Sequence, residues 1–363
     1  MKILVWNCQG LGNPGIVQFL KQLVASKSPS VVFLCDTRLN KRKAEDVRRR
    51  VNMSGNLVVE INEEGLGLML LWTEVTQVSL LSYSKSHIDV EVSKDGVCFR
   101  FTGMYGTFHR SKKKEDWDLL DVLRTMSELP WLIGGDLNDI LDLSEKEGGR
   151  RKPRVEMEEF NDAFLRNGLW DIKPDSGWFT WHSGINVENL VKERLDRFVA
   201  SIAWIQLHGR GQVQSIHSSF SDHHYLLLDT EPCTGRGKRL VDQFRFENCW
   251  ADEEACLETV KECWNDANSS TMNKLKAIGD KLYGWQKHKR ALAMKRKNFL
   301  LEKIEKLLNE TISEESARDL TASKKELKLL MDREEIVKPM FDFDITRSLR
   351  IKLKNLKLFV QIP

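Results

Sequence analysis

Short apolar runs that end on a polar residue recur along the first 231 residues, and they constrain the fold more than any other feature. ILVW (3–6) is followed by Asn7 and VVFLC (31–35) by Asp36. VCFRFTGMYG (97–106) carries Tyr105 near its end, and WLIGGD (131–136) closes on Asp136. NLVVEI (56–61), LGLMLLW (66–72), VSLLS (78–82), IDVEV (88–92), WFTW (178–181), LDRFVA (195–200), QVQSI (212–216) and YLLLDT (225–230) have the same strand-like composition. Apolar residues three and four apart predict amphipathic helices near 15–27, 115–128 and 154–167. So many strands with so few helices between them predict an α+β fold, in which two packed sheets are flanked by helices, rather than a doubly wound parallel sheet.

At EPCTGRGKR (231–239) the strand pattern stops and Lys, Glu and Leu take over, so a boundary is expected between 1–231 and 232–363. Leu275, Ile278, Leu282 and Trp285 share one helical face, as do Leu300, Leu301, Ile304, Leu307 and Leu308. These stripes predict two or three long helices over 240–335, with the apolar faces packed together. Charge changes at the same place: residues 1–231 hold 29 Lys+Arg against 32 Asp+Glu, and 232–363 hold 27 against 21. An acidic front with a basic tail fits a metal site followed by a polyanion-binding arm. Lys287, Lys289, Arg290, Lys295, Arg296 and Lys297 lie in one stretch free of acids, suited either to phosphate contacts or to a solvated helix face.

No run of eighteen apolar residues exists, and the four apolar residues near the N-terminus are too few for a secretory leader. Seven cysteines without a CxxC pair fit a reducing compartment. The expectation is an intracellular protein, nuclear or cytoplasmic, with no membrane partner. No protein partner can be inferred.

The chemistry is read from polar residues at strand ends: Asn7, Asp36, Tyr105, Asp136, Asn138, Asp196, Asp222 and His223. One such residue is a cap or a turn; a succession of Asp, Asn and His suggests a site. Oxygen donors suit Mg²⁺, which takes one or two carboxylates and keeps its remaining shell for water and phosphate. No Cys or His pair has zinc-ligand spacing. His87, His182, His208, His217 and His288 lack motif context and are read as core or surface residues. The set points to metal-assisted attack of water on a phosphate ester. Ser221, Asp222 and His223 are consecutive and cannot converge as a nucleophilic triad. FDFDIT (341–346) mimics a phosphatase motif but, with 17 residues after Thr346, is not expected to open such a domain here, and no P-loop is present.

WNCQGLGN (6–13), LCDTR (34–38), TGMYG (102–106), GGDLND (134–139), SEKEGGR (144–150), FTW (179–181), ERLDRF (193–198) and SDHH (221–224) follow one another in family order. Together they resemble the endonuclease/exonuclease/phosphatase superfamily, and most of all the N-terminal endonuclease of plant non-LTR retrotransposon polyproteins. The resemblance implies a DNase-like sandwich over 1–231 and, after it, the helical connector that precedes reverse transcriptase. It implies metal binding by Asp36 with Asn7 and Asp222, and water activation by Asp136. Asn138 and His223 would bind the phosphate, with Asp196 orienting His223. Tyr105 would approach the phosphate or leaving group, and Thr180 and Ser221 would contact backbone phosphates. The implied cofactor is Mg²⁺, with Mn²⁺ as substitute, and the implied partner is double-stranded DNA nicked to leave a 3′ hydroxyl.

Asp36 stands where the family usually has Glu, so its reach is shorter by roughly 1.5 Å, the length of one C–C bond. Two alternatives follow. One keeps the fold with another phosphodiester: abasic DNA, RNA or a phosphoinositide. The other is a nuclease-like remnant that binds nucleic acid without cleaving it.

Overall fold

The computed structural model describes residues 1–61, 65–184, 189–209, 211–231, 254–264, 271–310 and 313–336. Its strands are β1 (Lys2–Asn7), β2 (Val31–Cys35), β3 (Gly55–Val59), β4 (Leu68–Trp72), β5 (Gln77–Tyr83), β6 (His87–Lys94), β7 (Val97–Tyr105), β8 (Trp131–Asp136), β9 (Lys146–Glu147), β10 (Leu169–Ile172), β11 (Trp181–Ser183), β12 (Val191–Glu193), β13 (Asp196–Ser201), β14 (Gln212–Ile216) and β15 (Tyr225–Asp229). Its α-helices are α1 (Pro14–Lys27), α2 (Lys41–Val51), α3 (Lys113–Thr125), α4 (Arg154–Arg166), α5 (Ile202–His208), α6 (Glu254–Trp264), α7 (Thr271–Asn309) and α8 (Glu314–Ile336).

Side chains alternate across each strand, and here both faces are claimed. Ile3, Val5, Val31, Phe33, Leu68 and Leu70 from one sheet pack with Val90, Phe101, Leu132 and Phe198 from the other. The alternate residues Leu4, Trp6, Val32, Leu34, Met69 and Leu71 turn away and pack on Leu20 and Leu23 of α1 and Val47 of α2. On the far side, Met104, Ile133 and Val199 pack against Trp117 and Leu120 of α3 and Phe160 of α4. The result is helices, sheet, sheet, helices. Burial on both faces explains why VVFLC and LMLLW read as unbroken apolar runs.

The first sheet has the order β14-β15-β1-β2-β4-β3 and the second β10-β13-β8-β7-β6-β5, with β11-β12-β9 as a small third sheet. Each large sheet is mixed: β1 with β2 and β7 with β8 are parallel pairs, and the other pairings are antiparallel. This is the two-sheet α+β sandwich expected. Glycine is demanded at two close approaches: between the sheets, a Cβ on Gly103 would lie 2.2 Å from the Phe33 ring, and within the second sheet one on Gly135, at φ +150°, would lie 2.0 Å from the Met104 carbonyl.

Two local expectations differ from the structure. Of WFTW only Trp181 enters a strand; Thr180, just before it, accepts the Leu195 and Asp196 amides with its hydroxyl while its backbone bonds to Glu193 and His224. Helix α2 was not expected within KRKAEDVRRRV. Its Ala44, Val47 and Val51 are spaced three and four apart and buried, and the Asn40 side chain caps it at the Lys43 amide.

The described residues up to 231 and Glu302–Lys324 form one compact unit, and the described residues of 235–301 and those after 324 form a second. In the first, Lys192 Nζ donates to the carbonyls of Leu308 (2.9 Å) and Glu310 (2.6 Å), and the Trp178 amide donates to Asn309 Oδ1 (3.0 Å). In the second, Cys256, Val260 and Cys263 pack with Ile278 and Leu282, so the heptad-spaced cysteines fill a helix interface. Cys249 and the FDFDIT stretch lie outside the described residues.

Candidate active site

Strand register assembles the site. β7 and β8 run parallel with Tyr105 opposite Asp136, and antiparallel β13 begins at Asp196, also opposite Asp136. β1 and β2 run parallel and end together at Asn7 and Cys35. Because β15 pairs antiparallel with β1, with Leu226 opposite Val5, the residues just before β15 arrive beside the end of β1. Residues up to 216 positions apart therefore meet at one end of the sandwich.

The side chains form a continuous chain. Asp196 Oδ2 is 2.9 Å from His223 Nδ1, and Asp136 Oδ2 is 3.7 Å from His223 Nε2. Asn7 Nδ2 donates to Asp136 Oδ2 at 2.9 Å and lies 3.4 Å from His223 Nε2. Ser221 Oγ donates to the Asn7 carbonyl (2.8 Å) and accepts the His223 amide (3.1 Å), fixing the loop that presents the imidazole. Thr180 Oγ1 accepts the Asp196 amide at 2.9 Å. Asn138 is held in the left-handed region at φ +52°: its amide donates to Asp136 Oδ1 and its Nδ2 to the Gly106 carbonyl. Asn7, Asp136, Asp196 and His223 are all nearly inaccessible.

Electrostatics assign protons. Burial opposes charge on His223, but Asp196 and Asp136 outweigh it and push its pKa up to about 9. Burial raises Asp196 to about 6 against the pull of His223. At neutral pH the pair is therefore imidazolium and carboxylate. Tyr105 is pushed far up by burial and by Asp136, so its hydroxyl keeps its proton as a donor.

Asp36 stands apart from this chain. Arg38 grips its carboxylate with two hydrogen bonds of 3.0 and 2.9 Å, both residues having positive φ. Asp222 Oδ1 lies 3.8 Å from His223 Nε2. Asn7 Oδ1 and Asp222 Oδ1 are buried oxygens that accept no hydrogen bond. Unsatisfied oxygen acceptors beside carboxylates are the donor set that a hard cation such as Mg²⁺ or Mn²⁺ takes, so the residues present fit one.

Two contributors were missed from sequence although they sit inside its motifs. Gln9, at φ +51°, accepts the Asp222 amide at 3.3 Å and lies 3.4 Å from Ser221 Oγ. Arg38 was passed over for its neighbour. Nearby, buried Glu145 receives Arg194 at 2.7 Å and Arg197 at 2.9 Å, which locks the SEKEGGR and ERLDRF segments together. In the basic stretch, Arg296 pairs with Glu326 and Lys289 lies over the Trp285 ring, while Lys295 is exposed and Lys297 partly so. The side chains of Lys287 and Arg290 lie outside the described ones.

No protein-family profile and no curated protein matches this chain. Similar solved structures include the endonuclease domain of TRAS1, a telomere-specific non-LTR retrotransposon, at 13% identity and TM-score 0.48, covering 63% of this chain and 97% of that one. The 3′-5′ exonuclease NExo from Neisseria meningitidis is 17% identical with TM-score 0.49, covering 63% and 100%. AP endonuclease LMAP from Leishmania major is 15% identical with TM-score 0.47, covering 62% and 86%.

Proposed function

We propose that the site hydrolyses a phosphodiester bond in double-stranded DNA, cutting one strand and leaving a 3′ hydroxyl, as an endonuclease of non-LTR retrotransposon type. The observation that carries the reading is the buried chain Asp196–His223–Asp136–Asn7, hydrogen-bonded at its two ends and joined in the middle by a 3.7 Å ion pair, with an imidazolium flanked by two carboxylates. His223, charged and oriented by Asp196, donates to a non-bridging phosphate oxygen and stabilises the negative charge that builds there. Asp136 takes a proton from the attacking water. Tyr105 donates its retained proton toward the phosphate or leaving oxygen, and Asn138 holds the Asp136 carboxylate in register through its amide. Thr180 and Ser221 fix the backbone around these groups.

A divalent cation, Mg²⁺ or Mn²⁺, would be held by Asn7 and Asp222, with Asp36 joining once Arg38 turns away. It would supply Lewis-acid stabilisation of the phosphate. Arg38 is half exposed but Asp36 is buried, so the cation would have to replace the guanidinium as partner of the carboxylate. The basic face of α7 would add salt-dependent contacts to DNA phosphates, and such a protein would act in the nucleus.

The test is nicking of supercoiled plasmid by the purified chain with Mg²⁺, with EDTA, and with Asp136→Ala. Nicking that needs the metal and Asp136, with 3′ hydroxyl ends, is the expected result. The clamp on Asp36 favours one second reading, a binding remnant, which would retain DNA affinity and show no nicking with either metal.

A further inference from the structure

Directly behind the catalytic loop lies a cluster for which the reaction has no use. His182 sits on β11, His217 follows β14 and His224 precedes β15, and one nitrogen from each lies within 4.8 Å of the others. The ring centroids are 5.3 to 6.0 Å apart, and the exposures are only 7%, 6% and 2%. Nδ1 of His182 and Nδ1 of His217 are buried with no hydrogen-bond partner. A buried imidazole nitrogen without a partner is costly, and two in one cluster call for an explanation. His224 is oriented differently: its Nδ1 lies 3.1 Å from Ser215 Oγ, which leaves Nε2 as its ligand atom.

We propose that His182, His217 and His224 form a structural metal site that takes one Zn²⁺ ion through three imidazole nitrogens, with water in the fourth position. Three neutral imidazoles are an established zinc donor set, and a hydrogen bond to the non-ligating nitrogen is the usual device for fixing a ligand ring. Imidazole donors without carboxylate also separate this site from the oxygen-rich one, which suits Mg²⁺.

The backbone explains what the ion would do. The His182 amide donates to the Asp222 carbonyl at 3.2 Å, the His224 amide donates to the Thr180 carbonyl at 2.7 Å, and Trp181 bridges to His223. Zinc would tie β11, β14 and the Ser221–His224 loop at one point and hold His223 where Asp196 and Asp136 meet it. The charged groups facing the cluster are Lys324, His223 toward His182 and His224, and Lys192 toward His182, with Asp222 facing Lys324. Lys324 is partly buried, with its ammonium pushed down to about 8 by burial. Its positive charge opposes a cation in the cluster.

The test uses the full chain, stripped with chelator and titrated with Zn²⁺, and with Co²⁺ as a spectroscopic probe. One equivalent should bind in the presence of excess Mg²⁺, raise the melting temperature, and give the intense visible bands of tetrahedral nitrogen-ligated Co²⁺. His217→Asn should weaken binding by at least about tenfold, Lys324→Gln should tighten it, and Asp136→Asn should leave the stoichiometry unchanged. No saturable binding to the wild-type chain, an octahedral Co²⁺ spectrum, or equal affinity in His217→Asn would each overturn the proposal. Should His217→Asn fold poorly, the wild-type spectrum and the metal-dependent melting shift decide it.

Discussion

His223 stands between two carboxylates, with Nδ1 2.9 Å from Asp196 and Nε2 3.7 Å from Asp136. The close contact fixes which nitrogen faces the phosphate position, and the longer one leaves room for a substrate oxygen to take the Nε2 proton. Asp196→Asn removes the charge that holds the imidazolium while preserving shape. Burial already disfavours the Asp196 charge, so a neutral side chain there costs the fold little. Plasmid nicking should fall by about 10²–10⁴-fold with circular dichroism unchanged. Near wild-type nicking would remove Asp196 from the mechanism.

The Asp36–Arg38 clamp makes a second, separable prediction. Arg38→Gln frees the Asp36 carboxylate, so nicking should saturate at a lower Mg²⁺ concentration than in the wild-type chain. Asp36→Glu restores the longer reach and should act in the same direction, and Mn²⁺ should raise activity most in the unmutated chain. If Arg38→Gln raises the Mg²⁺ requirement, Arg38 contacts DNA and Asp36 belongs to its support.

The fold was legible because burial on both faces writes itself into composition: VVFLC and LMLLW have no polar position to hide. The strand-end polar residues were legible for the complementary reason, that a polar side chain closing an apolar run needs a partner. Helix α2 was hidden because three apolar residues among charges give a weak stripe, and its Asn40 cap reads as an ordinary loop residue. The Asp36 clamp was hidden because it depends on positive φ angles at Asp36 and again at Arg38, which the residue types do not announce. The three-histidine cluster was hidden more deeply. Its members lie 7 and 35 positions apart and come together only through the pairing of β14 with β15 and the docking of β11. No local spacing encodes that.

Stability should depend on a buried pair away from the site. Arg100 and Asp89 are completely buried, joined at 2.7–3.1 Å, with Thr102 donating to Asp89 and Arg100 also donating to the Leu123 carbonyl. Asp89→Ala strands the guanidinium under α3, beside Trp131 and the Leu123 carbonyl, at a cost of about 3–5 kcal/mol. Replacing both partners, with Asp89→Leu and Arg100→Met together, should recover much of that loss in urea unfolding, because no uncompensated charge is left. A double variant weaker than Asp89→Ala would show that the hydrogen bonds to Thr102 and Leu123 dominate.

Asp116 supplies the pH dependence. It lies buried in the first turn of α3, accepts the Thr107 amide at 2.7 Å, and is raised from 3.8 to about 6, chiefly by burial. The folded state therefore holds this proton more tightly than the unfolded chain. Its contribution to stability is fully present below the unfolded value of 3.8 and is lost as pH rises through about 6. Asp116→Asn keeps the acceptor for Thr107 and removes the buried charge. It gives up the favourable placement of a carboxylate near a helix N-terminus, about 0.3–1 kcal/mol. The burial penalty at neutral pH is larger, about 2–3 kcal/mol for a shift of this size before allowance for solvent. Asp116→Asn should therefore melt several degrees above the wild-type chain at neutral pH, and the gap should close as pH falls toward 4. A gap that stays constant across that range, or reverses at neutral pH, would mean that Lys113, close to Asp116, already compensates the charge in full.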